Sequence, residues 1–168
     1  MVDKDLLSIQ EARALVRAAR KAQPEFAQLS QERVDEVVKA LAEAAAAQAE
    51  VLANMAVEET GFGRPQDKKI KNILASEKVY ACIKDMKTIG VLHSDPASKV
   101  VEIAVPVGVI AGIVPSTNPT STVIYKSLIA LKSGNAIVFT PHPSARNCIA
   151  KTVEVIQGAL RGCHVSPD

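Results

Sequence analysis

The sequence predicts an α/β fold: a helical first half, then a hairpin, then a strand–helix–strand–helix unit. Three observations predict it. Apolar residues recur at helical spacing as far as Ala81, and the period shortens to that of strands near Lys87. Beyond that point two apolar runs, Val107 to Val114 and Asn135 to Phe139, are separated by a helical segment and followed by another. Strands that alternate with helices across short turns belong to a parallel, doubly wound sheet.

Each element has its own signals. Ser8 with Glu11 reads as a capping box opening a first helix, with Ile9, Ala12, Val16 and Ala19 on one face and Pro24 as its end. Ser30 reads as the N-cap of a second helix, with Leu29 placed to staple onto Val34 and a stripe of Val34, Val37, Val38 and Leu41. The alanines at 44–47 have high helix propensity and suit close packing. Leu52, Met55 and Ala56 continue that pattern until Gly61, Gly63 and Pro65 punctuate it. A third helical pattern carries Ile70, Ile73, Leu74, Tyr80 and Ala81.

Ile89 to Leu92 and Lys99 to Val105 then read as a hairpin, with Asp95-Pro96 in its turn. Val107 to Val114, broken only by glycines, suits a strand buried on both faces. Pro115 to Pro119 is a turn, Thr120 to Leu131 a helix ended by Ser133-Gly134, and Asn135 to Phe139 a second buried strand. Pro141 and Pro143 break the chain, and Ser144 caps a last helix to about Leu160. The expected organisation is a helical segment 1–86, a hairpin 87–106 and the first half of a nucleotide-binding domain at 107–168. Two strands apolar on both faces cannot bury themselves, so the unit is expected to be the front of a larger, here incomplete, sheet.

Composition narrows the function. Of 168 residues 48% are hydrophobic and 23% charged, which is the balance of a globular protein. The 20 basic and 18 acidic residues are interspersed and leave a net charge of +2. No field steers nucleic acid or a membrane surface, and aromatics at 3% with no Trp offer few platforms for bases. The nearly uncharged run from Ile103 to Tyr125 contains Pro106, Pro115 and Pro119 and reads as strand and turn, not as a membrane span. No signal peptide is visible. Cys82, Cys148 and Cys163 form no metal-ligand pattern and point to a reducing, cytoplasmic setting. No metal site is expected, and His93 and His164 belong to no ligand cluster. Cys82 and Cys148 read as packing residues, while Cys163 lacks a neighbouring base. Lys68, Lys69 and Lys71 read as a solvated helix face, and Glu58-Glu59 as a helix end without a partner.

The segment Pro106-Val-Gly-Val-Ile-Ala-Gly-Ile-Val-Pro115 and the following Ser116-Thr-Asn-Pro-Thr-Ser-Thr122 make the reading specific. Lys126-Ser-Leu-Ile-Ala-Leu-Lys-Ser-Gly-Asn135 and Pro141-His-Pro143 follow. Together they resemble the aldehyde dehydrogenases, and within them the CoA-acylating branch. Bifunctional aldehyde-alcohol dehydrogenases belong there, as do the acetaldehyde and propionaldehyde dehydrogenases of bacterial microcompartments. Gln31 to Asp35, Met55 to Glu59 and Ala75 to Glu77 look similar too, so the likeness spans nearly the whole chain.

The resemblance implies a variant Rossmann domain without G-x-G-x-x-G, and a hairpin that serves in a homo-oligomer. It implies that a cysteine thiolate beyond Asp168 attacks a small aldehyde, hydride passes to NAD⁺, and the acyl group passes to CoA. The compartment would be the cytoplasm or a microcompartment within it. An asparagine of the first turn would donate to the oxyanion. Counting from Pro115 puts Thr117 in that slot, while the amide of Asn118 is the better donor, so both are candidates. Val114, Pro115, Ser116, Thr117, Thr140, Pro141 and His142, at the carboxyl ends of the two strands, are the candidate cofactor residues. Relatives that do not use CoA hold the adenosine ribose with a Lys and a Glu where this chain has Thr140 and Pro143. His142 is the candidate replacement, in a pocket that would serve NAD and CoA in turn. The alternatives are a non-catalytic nucleotide-binding or assembly module, and a hydrolytic or phosphorylating aldehyde dehydrogenase.

Overall fold

A computed structural model describes residues 3–168, and its order of elements is the expected one. Helix α1 spans Lys4–Phe26, α2 Gln31–Ala47, α3 Ala49–Thr60 and α4 Pro65–Ile73. A π-type turn at Leu74–Lys78 leads on into α5, Val79–Ile83. Strands β1 (Gly90–Asp95) and β2 (Val100–Ala104) form the hairpin. Strand β3 (Val109–Val114), α6 (Pro119–Lys132), β4 (Ala136–Pro141) and α7 (Arg146–Gly162) complete the chain.

The start of α1 differs from the capping-box reading. Asp3 is the N-cap, its carboxylate accepting from the N–H of Asp5, and Pro24 lies inside the helix. Ile9 and Val16 are exposed; Ala19 and Phe26 are the buried residues of this helix. In α2 the expected cap and stripe are both present: Ser30 Oγ accepts from Arg33 N–H, and Val34, Val37, Val38 and Leu41 are fully buried. The alanine-rich pattern is two helices, not one, because the backbone turns at Gln48. Ala45, Ala49, Ala53 and Ala56 are buried across that bend, where small side chains let helices approach closely. Gly61, at φ 69°, ends α3 in the left-handed conformation that favours glycine.

The third helical pattern buries a different face from the one expected. Ile70 and Leu74 are exposed, and the inward residues are Lys68, Asn72, Ala75 and Ser76. The polar ones among them have partners: Asn72 Nδ2 donates to Ala49 O (3.0 Å) and Ser76 Oγ to Asn72 O (2.8 Å). A buried polar face is stable when satisfied, and an apolar stripe can face outwards. At the π-type turn, Val79 N–H reaches back five residues to Leu74 O.

The hairpin is antiparallel, and its first strand runs further than the turn signals indicate. His93, Ser94 and Asp95 belong to β1, pairing with Glu102, Val101 and Val100. Asp95 still organises the turn, accepting from Ala97 N–H (2.9 Å) and Ser98 Oγ (2.6 Å). Strands β3 and β4 pair in parallel from Val109↔Ala136 to Val114↔Pro141, with α6 as the crossover. The second strand therefore runs through Thr140 and Pro141; a proline is accepted at the strand's end. Only Gly112 and Val114 of β3 are buried, so this strand is not covered on both faces by the chain. The main core joins α2, α6 and α7 through Val34, Val38, Leu41, Ile124, Leu128 and Ile156. A smaller cluster of Ala56, Val114, Val123, Ala145, Cys148 and Ile149 lies beneath the carboxyl end of β3. No helix among the described residues is long and apolar enough to cross a membrane.

Candidate functional site

The parallel register puts Val114 beside Pro141, so the chain segments leaving β3 and β4 start side by side. His142 N–H donates to Val114 O (3.1 Å), which prolongs the pairing by one residue past the strand. Sequence reasoning placed Val114, Pro115, Ser116, Thr117, Asn118, Thr140, Pro141 and His142 in one site, and the fold brings them to one edge. Pro115, Thr117, Thr140, Pro141 and His142 are exposed there, Ser116 and Asn118 are half-buried, and Val114 is buried beneath.

Two lysines from α4 hold the 115–118 turn. Lys68 Nζ donates to Thr117 O, and Lys71 Nζ donates to Asn118 Oδ1 at 2.9 Å. Lys68 is 5% exposed, so it is no member of a solvated face. Burial, and then the nearby charge of Lys71, holds its ammonium below the ordinary lysine range. Behind the turn, Thr120 Oγ1 donates to Asn72 Oδ1 (2.8 Å), tying the first turn of α6 to α4. Lys126 Nζ reaches Ile113 O (2.7 Å) and ties α6 back to β3. Helix α6 starts with Pro119 at its first position, and Asn118 precedes it without capping it through its side chain.

The other edge of the site is ordered by His142. Its Nδ1 accepts from Ser144 N–H (3.2 Å) and lies 2.8 Å from Ser144 Oγ. A ring whose Nδ1 accepts carries its hydrogen on Nε2, which leaves this exposed side chain one N–H donor. Ser144 does not cap α7. The helix opens after a 3₁₀ turn, Pro143–Ala145, and its first N–H groups, of Asn147 and Cys148, donate to the carboxylate of Glu59 at 2.8 and 2.7 Å. Burial opposes that charge, but the two N–H groups outweigh it and Glu59 titrates below the usual carboxylate value. Glu59 thus has a partner after all, and it pins α3 to α7.

None of the three cysteines has the surroundings of a nucleophile. Cys148 is fully buried, and burial together with Glu59 pushes its thiol up to about 12. Cys163 is half-buried in the tail. Cys82 is exposed, not packed as its helical position suggested. No cluster of metal-ligating side chains exists among the described residues. A groove of about 530 Å³ runs between α1, β4 and α7, lined by Leu15, Ala22, Phe26, Ile137, Phe139 and Val153 among others. It is largely apolar, Pro141 at the end of β4 lines it, and no residue of the 115–118 turn does.

Sequence reasoning missed Lys68, Lys71, Asn72 and Glu59. Their partners are 23 to 89 residues away in the chain, beyond the reach of any local spacing rule. The one signal available was a polar residue every fourth position, Lys68, Asn72 and Ser76, on a helix whose apolar residues lay elsewhere.

The profile of the Aldehyde dehydrogenase family matches residues 5–162. The chain is 50% identical over 149 residues to the bifunctional aldehyde-alcohol dehydrogenase AdhE of Escherichia coli K12, an alignment covering 89% of this chain and 17% of that protein. Among solved structures it is similar to an acetylating aldehyde dehydrogenase from Geobacillus thermoglucosidasius, with a TM-score of 0.95, 50% identity and coverage of 98% of this chain and 36% of that one. It is also similar to a Rhodopseudomonas palustris propionaldehyde dehydrogenase solved with bound propionyl-CoA, with a TM-score of 0.77, 33% identity and coverage of 91% and 34%. The chain thus spans about a sixth of the curated relative and a third of the solved chains. With the family profile running almost from end to end and the fold shared at 50% identity, the chain belongs to the aldehyde dehydrogenase family.

Proposed function

We propose that this chain is the front part of a CoA-acylating aldehyde dehydrogenase that converts a small aldehyde, CoA and NAD⁺ into acyl-CoA, NADH and a proton. The observation that carries the reading is the 115–118 turn at the carboxyl end of β3. There Lys71 occupies the carbonyl oxygen of Asn118 and leaves the amide N–H groups as donors. The acylating relatives, of which one solved example holds propionyl-CoA, favour CoA as the acyl acceptor.

The residues present suit a dinucleotide. Ligands of open α/β sheets bind outside the carboxyl ends of the strands, which is where Ser116, Thr117, Thr140 and His142 sit. These are neutral hydroxyls and a ring N–H, able to meet ribose and phosphate oxygens. Residues 114–118 and 140–144 include no acidic side chain that would repel a phosphate. When bound, the nicotinamide supplies the acceptor for hydride. Asn118 holds the developing oxyanion through its amide N–H, with Thr117 as the alternative donor if the register is one residue earlier. His142 Nε2–H takes the place of the Lys and Glu clasp on the adenosine, a less committed contact that serves NAD and CoA in turn. The nucleophile comes from the part of the enzyme outside this chain, since Cys148 is buried with its thiol held protonated and the thiols of Cys82 and Cys163 have no hydrogen-bonded base. Further proposals follow from the same reading: the hairpin, with Val101 and Ile103 exposed, mediates a homo-oligomer. The enzyme works in the cytoplasm, free or inside a microcompartment.

The test uses the longer protein that carries this chain, supplied with acetaldehyde, CoA and NAD⁺. NADH and acetyl-CoA should appear in equal amounts, and omission of CoA should stop turnover. Free acetate formed at full rate without CoA would overturn the acylating reading. The 168-residue chain alone should give no NADH.

A further inference from the structure

Asn118 stands at the N-cap of α6, where an asparagine normally turns its side-chain oxygen onto the helix N–H groups. Here it does not: the cap makes no side-chain hydrogen bond, and Oδ1 accepts from Lys71 Nζ instead, at 2.9 Å. An ammonium can only donate, so it fixes which end of the amide faces α4. The NH₂ group is turned the other way and has no partner among the described residues.

We infer that Lys71 is a positioning residue for the aldehyde reaction: it orients the Asn118 amide, keeps its oxygen off the α6 N-terminus and polarises its N–H groups towards the oxyanion. The inference deepens the proposed function and rests on Asn118 being the oxyanion donor. The chemistry has two parts. A cation on the carbonyl oxygen draws electron density through the amide, which makes the N–H a stronger donor. The contact also selects one of the two flips of a side chain that would otherwise exchange between helix cap and site. Lys68 does the matching service for the backbone, donating to Thr117 O from a buried position. Asn72 and Thr120 tie α4 to α6, so Lys71 is carried on an element that is fixed relative to the turn. Lys69, two residues earlier on α4, points elsewhere and pairs with Glu50 at 2.6 Å.

The experiment is a double-mutant cycle in the longer enzyme, reading kcat and the KM for NAD⁺ and aldehyde. Lys71→Met should lower kcat roughly tenfold, as loss of an outer contact to a functional group often does, with little change in either KM. Lys71→Arg, which still donates to Oδ1, should recover most of the turnover, and Lys69→Met should match the native enzyme. In an Asn118→Ala background, Lys71→Met should cost nothing more, because its effect passes through the amide. If Lys71→Met costs the same in both backgrounds, Lys71 acts elsewhere and the inference is wrong. A crippled Asn118→Ala beside a normal Lys71→Met would overturn the positioning role while leaving the oxyanion reading intact. Normal turnover in Asn118→Ala would overturn both.

Discussion

Glu59 sits on the first free N–H groups of α7, where the unpaired donors and the helix dipole both favour a negative charge. Replacing it with Gln keeps the shape and removes the charge. Glu59→Gln should destabilise the protein by about 1 kcal/mol at pH 7, the usual size of a lost cap. The sign of its pH dependence follows from the direction of the shift. The folded-state pKa lies below the ordinary value, so the stabilisation is complete above that ordinary value, about 4.3, and fades as pH falls through the folded one. Denaturation curves of native and variant protein should therefore differ at pH 7 and converge in acid. Its neighbour Cys148 offers a second check. A buried thiol held near 12 is protonated and shielded, whereas Cys82 is exposed. Brief iodoacetamide treatment at about pH 8 should label Cys82 and spare Cys148 until the protein is unfolded. Equal labelling of the two in the native state would contradict the packing described here. At this scale the sequence was legible where contacts are local. Ser30 capping α2 could be read from four residues, and Gly61 ending α3 from one. Glu59, Lys68 and Lys71 could not, because the carboxylate and the two ammonium groups act on backbone or amide atoms brought in by the fold.

The elements were legible in kind and order, since periodicity reports burial on one side of a helix or strand. Their limits were not, for stated reasons. Pro24 lies inside α1 and does not end it, Pro141 is tolerated at a strand end, and the alanine-rich pattern cannot show where a helix bends. The same limit explains the inverted face of α4: satisfied polar groups replaced the apolar residues that the pattern uses as its guide. Gly112 illustrates a close approach that only the sheet reveals. A Cβ there would lie 2.8 Å from Phe139 Cδ1 and 3.0 Å from Ile137 Cδ1, so the glycine makes room for a neighbouring strand's side chains, not for a ligand. Gly112→Val should destabilise by about 1–3 kcal/mol through overpacking. Adding Phe139→Leu should recover part of that loss. Thermal melts of the single and double variants would decide it, and additive losses would show that Phe139 is not the obstacle.

Across the whole molecule, apolar surface lies open on the hairpin, on β3 and in the groove between α1 and α7. Val101, Ile103, Val105, Val107 and Ile113 are each more than half exposed. Surface of this kind drives association. The 168-residue chain on its own should elute from gel filtration as dimers or larger species; a monodisperse monomer would show that this surface is harmless in water. The fold class, and the placing of residues 114–118 and 140–142 at one edge, could be read from two apolar runs and a crossover helix. Which way the Asn118 amide faces is set by Lys71, 47 residues away, and that no pattern of residue types reveals.

Whether the 115–118 turn stabilises charge in the transition state, as proposed, is tested most directly by steady-state kinetics of Asn118→Ala in the longer enzyme. A donor that acts chiefly in the transition state should, when removed, cut kcat by about 10²-fold or more while NAD⁺ binding holds. Thr117→Ala, measured beside it, should keep most of its turnover, and His142→Ala should raise the KM for NAD⁺ or CoA more than it lowers kcat. Near-native kcat in both Asn118→Ala and Thr117→Ala would contradict the account and leave the turn a structural link between β3 and α6.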